Sequence, residues 1–187
     1  MTQATDPGPA LAPVFDLQPT LVGPQLTLRP LCSDDLEPLY ELARDPLMWD
    51  LHPEQDRWQR PVFEQLFANC LRLGGGLTVV HNATGRLIGS SSFYEYRPAE
   101  SDVVIGYTYL GRDYWGGAAN RELKRLMLQH AYQTVQQVWF HVGTHNLRSR
   151  RAMEKIGAQL SHAIVLPNAA GIPREMVVYS MRPPQLP

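Results

Sequence analysis

The sequence predicts an α/β domain built on one mixed, mostly antiparallel, twisted sheet of about seven strands, with four main helices on both of its faces. Three observations predict it. Short apolar runs bounded by turn residues alternate with helical patterns from residue 20 to residue 182. Strand, helix and strand follow one another after residue 102, which requires a parallel pair joined by a crossover helix. The chain then closes with two strand-like runs around an NAAG turn, the pattern of a hairpin.

Each element has its own signal. TLVGPQLTLRPL (20–31) reads as the first strand, with Leu26 and Leu28 alternating. Ser33 is a candidate N-cap, and Asp34, Asp35 and Glu37 suit the positive end of the helix that follows. Leu36, Leu39, Tyr40 and Ala43 share one face of that helix, and Asp45-Pro46 ends it. Residues 46–60 are irregular and hold two tryptophans. A second helix is expected near 61–73, with Val62, Leu66 and Ala68 to Leu71 on its buried side, Cys70 among them. Gly74-Gly75-Gly76 stops it.

LTVVH, NATG and RLIGSSSFYEY read as a hairpin, Pro98 breaks it, and DVVIGYTYL (102–110) is a further strand. A glycine-rich turn leads into a helix near 118–134. Its apolar face is Leu123, Leu126, Met127, His130 and Ala131. VWFHVG (138–143) is a strand, and Asn146 opens a helix that Gly157 ends. The domain therefore spans 20–187, and the proline-rich 1–19 reads as a flexible or extended tail.

Composition narrows the class of function. The charged share is 19% and the net charge −1, which argues against broad, charge-driven binding to nucleic acid or anionic membrane. No run of about 18 apolar residues is present, so no membrane-spanning helix is expected. The N-terminus lacks the basic start and apolar core of a secretory signal. Cys32 and Cys70 show no metal spacing, and reduced thiols in a cytoplasmic protein are the expectation. The six histidines show no metal-ligand spacing either, so no metal is expected.

The stretch IGYTYLGRDYWGGAANRELKRLML (105–128) carries the chemistry. Gly116, Gly117, Ala118 and Ala119 let main-chain amides approach a ligand closely, and the helix that follows adds free N–H groups and its dipole. Arg112 and Arg121 flank the turn with fixed charge. This is a place for a pyrophosphate, although a plain tight turn fits the same residues. Neither a Walker loop nor a G-x-G-x-x-G fingerprint is present.

Here the chain resembles the GNAT acetyltransferases, whose coenzyme A loop reads Q/R-x-x-G-x-G/A. Their ribosomal-protein N-terminal acetyltransferase (Rim-type) branch often reads Y-W-G-x-G-x-x-x-E. Tyr114, Trp115, Gly116 and Glu122 match it, and Asn120, Glu122 and Lys124 match the N-x-E-x-K of a subset. Ala118 stands where a glycine is usual, which requires a negative φ there. Asn146, Ser149, Ala152, Lys155 and Gly157 match the family's N-x-x-S-x-x-A-x-x-K-x-G helix.

The resemblance implies the GNAT fold, acetyl-CoA as acyl donor, and transfer to a primary amine, either a peptide N-terminus or a small molecule. It implies cofactor contacts at Thr108, Tyr109, Leu110, Arg112, Gly116 to Arg121, Asn146 and Ser149. On the two strand residues Tyr109 and Leu110, the backbone would carry the role. Ser149 is the candidate acid for the leaving thiolate, because Met153 stands where many relatives have a tyrosine. Glu95 is the candidate base. Trp49 and His52, near Glu54, would border the acceptor. Arg148, Arg150 and Arg151 are either a solvated face or contacts to the coenzyme's 3′-phosphate. Trp58 and the tail are candidates for a contact between two copies of the chain. The rival reading is a coenzyme A-binding sensor or scaffold without transfer.

Overall fold

The computed structural model describes residues 14–168 and 170–183. Residues 1–13, Ala169 of the predicted NAAG turn and residues 184–187 lie outside them.

The predicted first strand is two strands. Gly23-Pro24 interrupts it, because proline fixes its φ and brings no N–H to a ladder. Gly23 N–H donates to Leu26 O at 2.8 Å, closing a turn between β1 (Leu21–Val22) and β2 (Leu26–Pro30). The sheet therefore has eight strands rather than seven. The rest are β3 (Gly76–His81), β4 (Leu87–Arg97), β5 (Asp102–Leu110), β6 (Gln137–Gly143), β7 (Gln159–Pro167) and β8 (Pro173–Met181). Their order is β1-β2-β3-β4-β5-β6-β8-β7. Every pairing is antiparallel except β5 with β6.

Four helices cover the two faces: α1 (Leu36–Ala43), α2 (Arg60–Leu73), α3 (Ala119–Ala131) and α4 (Leu147–Lys155). Helices α1 and α2 build one core with Leu31, Met48 and Trp49, while α3 and α4 build the larger core on the other face. The buried side of α2 is Phe63, Leu66, Phe67 and Cys70. Ala68 and Leu71, expected on that side, are exposed; Ala68 lies about 100° round the helix from Phe67, and Leu71 stands in the last turn. Phe15, inside the predicted tail, is buried against Phe93 and Tyr96, and the adjacent Asp16 carbonyl lies 2.7 Å from His130 Nε2. No helix of the described residues is long and apolar enough to cross a membrane.

Two irregularities set the stage for the site. The parallel ladder of β5 and β6 holds only from Asp102–Gln137 to Val104–Trp139, and beyond it the strands part. On the other edge of β5, Ser90 pairs with Tyr109 and Ser92 with Gly106. Tyr107 and Thr108 thus face Ser91 together, a β-bulge. Tyr107 takes a left-handed φ of 51°. The bulge breaks the alternation of side chains. Val103 and Ile105 point into the α3–α4 core, whereas Tyr107 and Tyr109 pack against the α1–α2 core.

Glu122, in the first turn of α3, fixes the β1–β2 turn. Its Oε1 accepts from Gln25 N–H at 2.9 Å and Leu26 N–H at 3.1 Å, and a Cβ on Gly23 would come within 2.3 Å of that oxygen. Glu122→Ala strands two main-chain donors. It is expected to cost about 2 kcal/mol, read as a lower urea midpoint at unchanged slope.

Candidate active site

A cavity of about 580 Å³ opens where β5 leaves β6. Beyond Val104 the β6-facing edge of β5 has no ladder partner, so its amides and carbonyls are available to an extended ligand. Thr108, Tyr109, Asn120, Asn146 and Ser149 line this cavity, as do His52 and Glu95.

The glycine-rich turn immediately precedes α3, whose Asn120 lines the cavity. Gly116 has φ +69°, which glycine adopts at no steric cost. A Cβ on Gly117 would meet nothing within 4 Å, so the backbone there faces open space. Ala118 takes φ −76°, the negative value that alanine at this place requires. The backbone hydrogen bonds of the described residues give Gly116, Gly117 and Ala118 N–H no acceptor. Three free donors before a helix N-terminus are a pattern that suits an anion. Arg121 lines a shallow groove beside it with Val22 to Gln25, Ala118 and Arg125. Arg112 points elsewhere and pairs with Asp45.

On the opposite wall, Asn146 is buried and caps α4, accepting from Ser149 N–H at 3.1 Å. Ser149 faces the cavity one helical turn on. Arg148 is a brace rather than a free cation. It lies 4.0 Å over the Trp115 ring and donates to Met48 O at 2.7 Å and to Asp50 at 3.1 Å. Arg150 reaches Tyr179 Oη at 3.3 Å and Thr144 O at 3.2 Å, and Arg151 is exposed.

Two further predicted residues, Leu110 and Trp49, do not line the cavity. Leu110 is buried in the core, and its carbonyl accepts from Trp115 Nε1 at 2.8 Å, so neither group is free for a ligand. Trp49 is also buried, donates Nε1–H to Ala43 O at 2.8 Å and does not line the cavity. It stands behind His52, edge to face at 5.7 Å. His52 does line the cavity, with Nδ1 2.9 Å from Glu54 N and Nε2 3.1 Å from Arg57 Nη1. Burial, followed by the charge of Arg57, holds its pKa well below the ordinary imidazole value, so the ring is neutral at pH 7.

Glu95 sits on a second bulge. Tyr94 pairs with Val104 and Arg97 with Asp102, leaving Glu95 and Tyr96 to face Val103 together. Glu95 has φ +49° and turns toward the cavity from an exposed position. Tyr94 Oη lies 3.2 Å from His141 Nδ1 on the same lining, and burial raises the Tyr94 pKa far out of the physiological range. Among the described residues no cluster of His, Cys, Asp and Glu is placed to hold a metal ion.

One lining residue, Lys124, enters the sequence reading only as a motif match, with no place in the site. Lys124 is 2% exposed, and its Nζ donates to Thr108 Oγ1 at 2.7 Å. A signal was present, since Lys124 lies one turn after Asn120 and so shares its face.

The profile described as acetyltransferase (GNAT) domain matches residues 25–159. A search of curated protein sequences finds no match to this chain. Solved structures share the fold. A GCN5-related N-acetyltransferase from Brucella melitensis has a TM-score of 0.76 and 19% identity, over 90% of this chain and 80% of that one. A spermidine N-acetyltransferase from Vibrio cholerae, in complex with CoA and spermine, has a TM-score of 0.64 and 18% identity, over 86% and 96%. A Vibrio cholerae protein provisionally assigned as a ribosomal-protein-serine acetyltransferase has a TM-score of 0.75 and 19% identity, over 88% and 97%.

Proposed function

We propose, since the chain belongs to the GNAT acetyltransferase family, that it passes the acetyl group of acetyl-CoA directly to a primary amine in a ternary complex. One observation carries this reading: β5 and β6 part after Val104 into a groove lined by Asn120, Asn146 and Ser149, and the turn with the free amides of residues 116–118 leads straight into the helix that carries Asn120. The pyrophosphate would rest on those amides. The pantetheine arm would run along the open edge of β5, with Thr108, Tyr109 and Asn120 beside it.

The reaction needs a neutral amine to attack the thioester carbonyl. The N–C bond forms, a strand N–H steadies the oxyanion, and the C–S bond breaks. Ser149 or a water protonates the thiolate, and the carboxylate of Glu95, directly or through water, takes the proton from the amine. No cysteine stands at the loop, which favours direct transfer over an acyl-enzyme.

For the acceptor we favour a peptide α-amine. The support is the loop Tyr114-Trp115-Gly116 with Glu122, which resembles the Rim-type branch, and the fold shared with the Vibrio cholerae protein. The spermidine enzyme keeps a polyamine among the acceptors to test. The experiment is release of free thiol from acetyl-CoA with short peptides, spermidine and simple amines. Transfer to none of them, with coenzyme A still bound, would replace catalysis by a sensing or scaffolding role. Glu95→Gln is expected to lower kcat about a hundredfold at neutral pH while leaving coenzyme A affinity unchanged, checked by steady-state rates and calorimetry.

A further inference from the structure

Lys124 is the group that the reaction scheme above leaves unused. It reaches from α3 toward the place where the parallel ladder fails. Its Nζ lies 2.7 Å from Thr108 Oγ1 on β5 and 5.4 Å from the centre of the Phe140 ring on β6. Phe140 is the first residue of β6 after the last ladder pair, and Thr108 is in the bulge of β5. The amine therefore spans the two diverging strands. Thr108 Oγ1 is its one hydrogen-bond partner among the described residues, and no carboxylate among them forms an ion pair with it. The Thr108 hydroxyl is itself fixed by Ser91 Oγ at 2.7 Å, so the anchor is rigid.

An ammonium has three donors and a neutral amine two, so in either state Nζ keeps uncommitted N–H groups. A buried donor without a partner is costly, and a cavity that Lys124 lines beside Asn120, Asn146 and Ser149 offers the place for one. A lysine that only filled space here would be better replaced by an apolar residue of its size. Burial alone also pulls its pKa down to about 7, which marks a group held in a costly position.

We propose that Lys124, anchored by Thr108, is a donor-binding residue that hydrogen-bonds a carbonyl oxygen of the acyl-pantetheine arm at the floor of the groove. The ligand class is an amide- or thioester-bearing chain, not the nucleotide. This rests on the acyl-CoA reading and assigns a new residue to that site. It separates the two halves of the donor physically: the nucleotide half meets the amides of residues 116–118, and the arm meets Lys124.

The test uses the full chain and two probes, coenzyme A and 3′-phospho-ADP, which has the nucleotide but no arm. Lys124→Met keeps the length and removes the donors. Calorimetry is expected to show coenzyme A bound about tenfold more weakly by the variant, the loss of one hydrogen bond. Affinity for 3′-phospho-ADP stays within about twofold, and KM rises for acetyl-CoA but not for the amine. Thr108→Val, which keeps the lysine and removes its anchor, weakens coenzyme A in the same selective way. Equal coenzyme A affinity in wild type and Lys124→Met overturns the proposal, as does an equal loss for both probes. Should Lys124→Met not fold, Thr108→Val decides alone by the same comparison. Failure of the wild type itself to bind coenzyme A would instead overturn the acyl-CoA reading.

Discussion

Asp35→Ala is expected to lower the unfolding free energy by about 3–4 kcal/mol, the largest loss foreseen for a single side chain outside the site. The carboxylate is 3% exposed and takes four hydrogen bonds. Arg29 donates twice, at 2.8 and 2.6 Å, Thr78 Oγ1 donates at 2.6 Å, and Cys32 N–H at 3.1 Å. These partners come from β2, β3 and the entry to α1, so one side chain locks the helix onto the sheet. Alanine would leave the fully buried Thr78 hydroxyl without its acceptor and the Arg29 charge without its counterion. Arg29 keeps some contact with water, which holds the loss to the lower part of the range for a broken buried pair.

The pH dependence follows. Burial alone would raise this carboxyl, but the bonds from Arg29, Thr78 and Cys32 outweigh it and hold its pKa below the ordinary value. A depressed carboxyl stabilises fully above its unfolded pKa, and that contribution is lost as pH falls through the folded value. Urea unfolding of wild type and variant should therefore differ most at neutral pH and converge in acid. A difference below about 1 kcal/mol at pH 7 would refute the assignment.

What the sequence made legible, and what it hid, has physical causes. Strand 102–110 matches β5 to the residue, and the loop and α4 blocks lie where their motifs placed them. These elements have local signals: apolar runs, small residues at a turn, and a capping asparagine. Each acts within a few residues of chain, so it can be read without knowing the distant partners. The negative φ required at Ala118 is such a case, because the penalty for the alternative is intrinsic to alanine.

The differences in the sheet involve partners distant in the chain. The 20–31 stretch was read as one strand because Leu26 and Leu28 alternate correctly. The Gly23-Pro24 break becomes decisive only when Glu122, about a hundred residues later, binds the turn. The bulge at Tyr107–Thr108 is silent in sequence, since its residues are good strand formers. Only the register against Ser91 shows that Tyr107 and Tyr109 change faces. Trp49 is placed beside the acceptor by the resemblance alone, which assigns that role to the whole segment; its indole N–H donates to Ala43 O, six residues back in the chain. The cavity wall is left to His52, the histidine that Trp49 supports.

Lysine on an amphipathic helix normally marks the wet side, so the motif match at Lys124 carries no signal of burial. Its burial carries a second prediction with an effect of several kcal/mol. With a folded pKa of about 7 against an ordinary lysine value, the unfolded chain holds the proton more tightly than the folded one. Below pH 7 the lysine is charged in both states, and folding bears the whole cost of burying the ammonium. From pH 7 to about 10.5 the cost shrinks, and above that the amine is neutral in both states. Replacing it by methionine removes the cost. The Lys124→Met variant is expected to be more stable than wild type by about 3 kcal/mol at pH 6, and the gain should vanish by about pH 10.5. Paired urea titrations across that window check it. Burial is the sole cause of the shift, and the other ionisable residues lining the cavity, His52, Glu54, Arg57, Tyr94, Glu95, Tyr107, Tyr109, His141 and Arg174, are common to both proteins. Their titrations cancel in the difference to the extent that they do not couple to Lys124. A variant that is less stable at pH 6 would mean that the amine has a structural partner strong enough to repay its burial. A variant that is more stable yet binds coenzyme A more weakly would show stability given up for the donor site, since no packing argument yields both signs at once.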